Sequence, residues 1–261
     1  MTRVRSTGAQ GGRIDPHRAI ATIDLHQRDL LLAAAFFLVA TIGYGLALPS
    51  LGHLWTAAFQ WLSTPLGMAG TVGQRVTSIA SLTRIGVPFF AAQASAPSRM
   101  AWWITLVVTV VVVLCTIPMR SSTLPLAYAL RFAAAIQSTA LLFFALVPAR
   151  FPYDLAGYVS GMMLIGAMLI GIVPLVLALT FYLIDVGWTR KLALTLLVMA
   201  HLAVLVPLQY ALQSVLIVHA SLIVLPLCFV MFGLLPEIMV LVALFGWGMS
   251  WRPGRARGRR Q

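Results

Sequence analysis

A chain of 261 residues with 61% hydrophobic and 9% charged side chains, and a mean hydropathy of +0.95, cannot coat a water-soluble globule. Its abundant Leu, Val, Ile and Phe exclude disorder as well. What remains is a helical membrane protein, whose net charge of +12 belongs outside the apolar runs.

Residues 1–29 set Arg3, Arg5, Arg13, Arg18 and Arg28 against Asp15, Asp24 and Asp29, and Gly8, Gly11 and Gly12 loosen the start. The expected state is a basic, partly disordered cytoplasmic segment. Leu30 to Leu48 is the first strong apolar run. It follows a long polar stretch and is near 20 residues, so it reads as a retained transmembrane helix rather than a signal peptide.

The segment 51–73 is weaker. Leu54, Trp55, Ala58, Phe59 and Leu62 fall at helical spacing, but His53, Gln60, Pro65 and several glycines interrupt them. It reads as a weak extra span, a re-entrant piece or an interfacial helix. Residues 74–99 hold Arg75, Arg84 and Arg99 with no acid, and their Ser/Thr/Ala/Gly content predicts a loop or surface helix.

Six more apolar stretches follow, at roughly 101–118, 124–149, 156–184, 190–210, 213–233 and 235–251. About 20 residues cross a 30 Å core, so the strong spans number seven. Charge placement tests the count. With the N-terminus inside, seven crossings put eight basic residues inside and nine outside. Eight crossings, with 51–73 included, give fourteen against three. Six crossings, with 213–251 fused, give thirteen against four. The predicted fold is therefore an all-α, polytopic transmembrane bundle of six to eight spans over 30–251, eight preferred. Both termini are cytoplasmic. The Arg-rich tail 252–261, following Trp247 and Trp251, suits anionic lipid better than nucleic acid.

Few polar residues enter the runs, and each is a functional hypothesis. Arg131 and Gln137 lie in 124–149, His201 in LLVMAHLAVLVP, His219 in VLIVHASLIVLP, and Glu237 in LLPEIMVL. If a turn is centred near Tyr210, His201 and His219 stand nine residues to either side of it. Each is then about 13 Å deep, and the pair could hold a haem or a transition metal. Arg131 is about 10 Å inside a face expected to gather Arg120, Asp185, Arg190, Lys191 and Glu237. It could pair there with Glu237 or Asp185 and form an entrance for an anion or lipid headgroup. Gly157 and Gly161, then Ala167 and Gly171, repeat small residues at four-residue spacing and predict close helix packing. Cys115 and Cys228 read as small buried side chains.

The chain lacks a GxSxG site, a Walker loop and paired carboxylates in any span, so no enzyme class and no cofactor are assigned. Seventeen of its eighteen basic residues are Arg, the composition of a GC-rich bacterial genome. The expected setting is a bacterial inner membrane. The expected role is a transporter component or a membrane-embedded subunit of an export or assembly complex, with membrane-protein partners. The alternatives are a haem- or metal-binding oxidoreductase using His201 and His219, and a lipid-modifying enzyme using Arg131.

Overall fold

The computed structural model describes residues 27–67, 70–79, 83–92, 94–180 and 187–250. The basic segment to residue 26, Asp185 and the Arg-rich tail 252–261 lie outside the described residues. Seven helices and one hairpin follow in order: α1 Gln27–Ser63, β1 Thr71–Ile79, β2 Thr83–Ala91, α2 Arg99–Cys115, α3 Leu124–Leu146, α4 Leu155–Thr180, α5 Trp188–Ala220, α6 Leu225–Phe232 and α7 Leu234–Met249. Among the described residues, five helical stretches are long and apolar enough to cross a membrane. They are Leu30–Ser63, Leu124–Leu146, Leu155–Thr180, Trp188–Ala220 and Leu222–Met249. The apolar α2 is shorter, at 17 residues.

Three expectations change. The segment 51–73 is no separate span, because its part up to Ser63 belongs to α1, one helix of 37 residues running through Pro49, and its end enters β1. Its helical spacing was read correctly, since Trp55 and Phe59, one turn apart, are both fully buried. Residues 71–91 form an antiparallel hairpin rather than a loop or surface helix, with Thr71 opposite Ala91 and Ile79 opposite Thr83. The fold is thus not purely helical. An isolated hairpin is marginal in stability. This one buries Ile85, Val87 and Phe90 in the main core with Trp55 and Phe59 of α1. The backbones meet where side chains vanish: a Cβ on Gly52 of α1 would lie 2.5 Å from the carbonyl oxygen of Gly86 in β2.

The third change concerns α5. It continues without a turn at Tyr210 and carries Pro207 in its interior. Proline has no N–H to give the carbonyl four residues back, which is that of Ala203. That carbonyl accepts the indole N–H of Trp55 at 2.8 Å, so a neighbouring helix repairs the gap. The next turn comes at Ser221, and the final apolar stretch then contains its own break, at Gly233 between α6 and α7.

The core is built on α1, α4 and α5. Phe36 stands beside Trp188 and Trp55 beside Ala203, so α1 and α5 run the same way. Tyr158 reaches Gln213 while Gly166 abuts Val206, so α4 runs against α5. The predicted small-residue contact occurs at one half of the repeat. Ala167 accepts a hydrogen bond from Tyr44 at 2.6 Å, and a Cβ on Gly171 would lie 3.0 Å from the Tyr44 ring. A Cβ on Gly161 would meet nothing within 4 Å. The pair α2 and α3 packs beside this core, with Trp102 donating to the Leu141 carbonyl at 3.0 Å. Cys228 is buried as expected, whereas Cys115 is exposed.

Candidate functional site at the break between α6 and α7

The last apolar stretch cannot run as one helix past Gly233. Residue 233 has φ −76° and ψ −113°, and a Cβ there would lie 2.2 Å from the carbonyl oxygen of Phe229. Pro236 follows in the first turn of α7, where its missing N–H would have no helical partner in any case. Glycine permits the close approach and proline suits the restart.

A break inside a membrane exposes carbonyls that water cannot reach, so side chains must serve them. Gln209 Nε2 donates to the carbonyls of Phe232 at 2.7 Å and Gly233 at 2.8 Å. Gln213, one turn further along α5, donates its amide to the same Phe232 carbonyl. The amide oxygen of Gln213 in turn accepts the hydroxyl of Tyr158 from α4. The Tyr158 and Tyr210 rings meet edge to face, with centroids 6.4 Å apart. Two helices, α4 and α5, and both halves of the last span therefore share one polar cluster.

Glu237 is the acidic member. It is the only carboxylate within the five long apolar stretches. It stands fifteen residues from the start of Leu222–Met249 and twelve from its end, close to mid-depth. Its side chain is fully buried, and Oε1 accepts the Tyr210 hydroxyl at 3.0 Å. Oε2 is buried and accepts no hydrogen bond among the described residues. The first turn of α7 supplies partial positive charge from its unpaired amides, which favours an acid at this position. A groove of about 410 Å³ borders the cluster, lined by Leu205, Leu208, Leu212 and Leu216 with Gln209, Gln213, Cys228, Phe232 and Pro236.

The other predicted site residues lie elsewhere. Arg131 donates from Nε to Thr116 Oγ1 at 3.0 Å and from Nη2 to the Thr116 carbonyl at 3.1 Å. Thr116 is the C-cap of α2, so the guanidinium closes that helix end, where a positive charge is favoured. Glu237 is mid-span, not at the membrane face expected to gather it with Arg131. Gln137 is buried and donates to the Ile223 carbonyl at 3.1 Å, tying α3 to the turn before α6. His201 and His219 share α5, eighteen residues or about 27 Å apart along its axis, and both are exposed. The expected facing arrangement required a turn that the chain does not make. His219 Nδ1 lies 2.8 Å from the Val215 carbonyl of its own helix. Among the described residues no three His, Cys, Asp or Glu side chains gather as a metal site would require.

Sequence reasoning named Glu237 and missed the residues around it. The signals were present: Gln209 and Gln213 are one turn apart in LQYALQS, and Gly233 and Pro236 flank two leucines in FGLLPE. The chain matches no protein-family model, no curated protein and no solved structure.

Proposed function

We propose that the chain is a multi-pass transport component of a bacterial inner membrane, and that Glu237 is its ion-binding centre. One observation carries this reading: a fully buried carboxylate at mid-span, with Oε2 unpaired among the described residues, beside a break in the same span. Ionisable groups at that depth are costly and belong to pathways or internal partners. Broken helices are tolerated in membranes where their carbonyls face protein or a cavity.

The topology in this reading has six crossings, the five long stretches plus α2. With the N-terminus inside, Arg75, Arg84, Arg99 and Arg150 are external, and thirteen other basic residues are internal. The remaining basic residue, Arg131, lies within α3. The hairpin then faces outward, and the Arg-rich tail meets the anionic cytoplasmic leaflet.

The test is modification of Glu237 in native membranes by a hydrophobic carbodiimide, together with proton flux in proteoliposomes. The expected result is a mass-spectrometric adduct on Glu237 and a flux lost in Glu237→Gln. An unreactive Glu237 with equal flux in both proteins would overturn the reading.

A further inference from the structure

Resting on that reading, we infer that the Glu237 centre takes a lipophilic organic cation that enters sideways from the bilayer. Charge gives the sign of the ligand. Glu237 has one oxygen on Tyr210 and the other unpaired among the described residues. The basic side chains of the long spans are placed elsewhere. Arg131 is bound at the end of α2, while Arg190 and Lys191 begin α5, about 29 Å along the helix from Tyr210. A buried carboxylate without a countercharge is expensive, and a cationic ligand supplies one. The Tyr210 ring stands beside it and meets the Tyr158 ring edge to face, and aromatic faces attract cations.

The groove gives the body of the ligand. Its volume of about 410 Å³ lies in the range of about 300–1,000 Å³ that holds small molecules. Its wall leucines 208, 212 and 216 are partly exposed on a helix read as membrane-spanning, so hydrocarbon is the medium they face. A hydrated inorganic ion would have to shed its water to pass there. A cation wrapped in apolar groups matches both wall and charge.

Gln213 links the two places. It lines the groove, and it accepts from Tyr158, whose ring abuts the tyrosine bonded to Glu237. A shift of this one amide frees the Tyr158 hydroxyl and withdraws one donor from the Phe232 carbonyl at the break.

The probe is tetraphenylphosphonium, with neutral triphenylphosphine oxide as control, on the full chain in lipid nanodiscs. Saturable binding of the cation and its protection of Glu237 from carbodiimide are expected. The oxide neither binds nor protects. Glu237→Gln weakens cation binding at least tenfold. Leu212→Trp, which fills the groove and keeps the carboxylate, weakens it at least threefold with an unchanged elution volume. Labelling of Glu237 that the cation does not alter overturns the ligand class and leaves the centre standing. Absence of labelling in the unmodified chain, together with equal proton flux in it and in Glu237→Gln, overturns both. Cation affinity unchanged in Glu237→Gln, or equal affinity for the oxide, also overturns the inference. Affinity unchanged in Leu212→Trp overturns the lateral route.

Discussion

Tyr210 donates its hydroxyl to Glu237 Oε1 across 3.0 Å, joining the interior of α5 to the first turn of α7. Both side chains are fully buried, so water cannot replace the bond. Interhelical hydrogen bonds in membrane proteins contribute about 0.6 kcal/mol on average and up to about 1.7. Tyr210→Phe should cost within or slightly above that range, since it leaves a carboxylate with no donor. Reversible unfolding in mixed detergent measures it. A variant as stable as the parent would mean that the contact contributes nothing.

Trp55 and Pro207 form a testable pair. Trp55→Phe leaves the Ala203 carbonyl without its indole partner, a loss of about 1–3 kcal/mol for an unsatisfied buried acceptor, plus packing. In a Pro207→Ala background the restored N–H at 207 can bond Ala203, and the same change should cost less. A double-mutant cycle should give a coupling of at least about 0.5 kcal/mol. Additive effects would sink the repair argument.

Gly233→Ala places a methyl against the Phe229 carbonyl oxygen. The half-helices must separate, and overpacking of this kind costs about 1–3 kcal/mol. Thermal unfolding in detergent should show a lowered midpoint. An unchanged midpoint would indicate that the break adjusts freely.

Gly52→Ala probes the hairpin. Its added methyl meets the Gly86 backbone at 2.5 Å, and neither backbone can rotate away as a side chain would. The hairpin should lift from α1 and become cleavable by trypsin at Arg75 or Arg84, both exposed. Equal protease resistance in the variant would contradict the packing.

Two reporter positions test the topology. A reporter inserted after Gly73 should read external with six crossings, and one after Ser250 internal. An internal reading at residue 73 would overturn the six-crossing topology.

The membrane setting and the helical character of most of the chain were legible from composition and apolar runs, because burial in lipid demands them. Boundaries were less legible. The turn placed at Tyr210 rested on polar LQYALQS, yet those side chains turned out to serve carbonyls on the next span. Polarity in a membrane helix marks either an end or a site, and the local sequence does not separate the two. The hairpin was missed because its apolar residues, Ile85, Val87 and Phe90, do not alternate strictly. Its stability comes from packing on α1, which precedes it, and on α4, which is distant in sequence. Glu237 was legible as an anomaly, but its depth depended on where the preceding helix ended.

The polar ties between helices share a direction in time. Tyr44 serves Ala167, Trp55 serves Ala203, Trp102 serves Leu141, Gln137 serves Ile223, and Gln209 serves Phe232 and Gly233. In each, the donor is synthesised before its acceptor, and Tyr210 likewise precedes Glu237. Arg131 on Thr116 reverses the order within one adjacent helix pair. A ribosome delivering this chain thus releases each late carbonyl, and finally the lone glutamate, into a bilayer where its donor already waits.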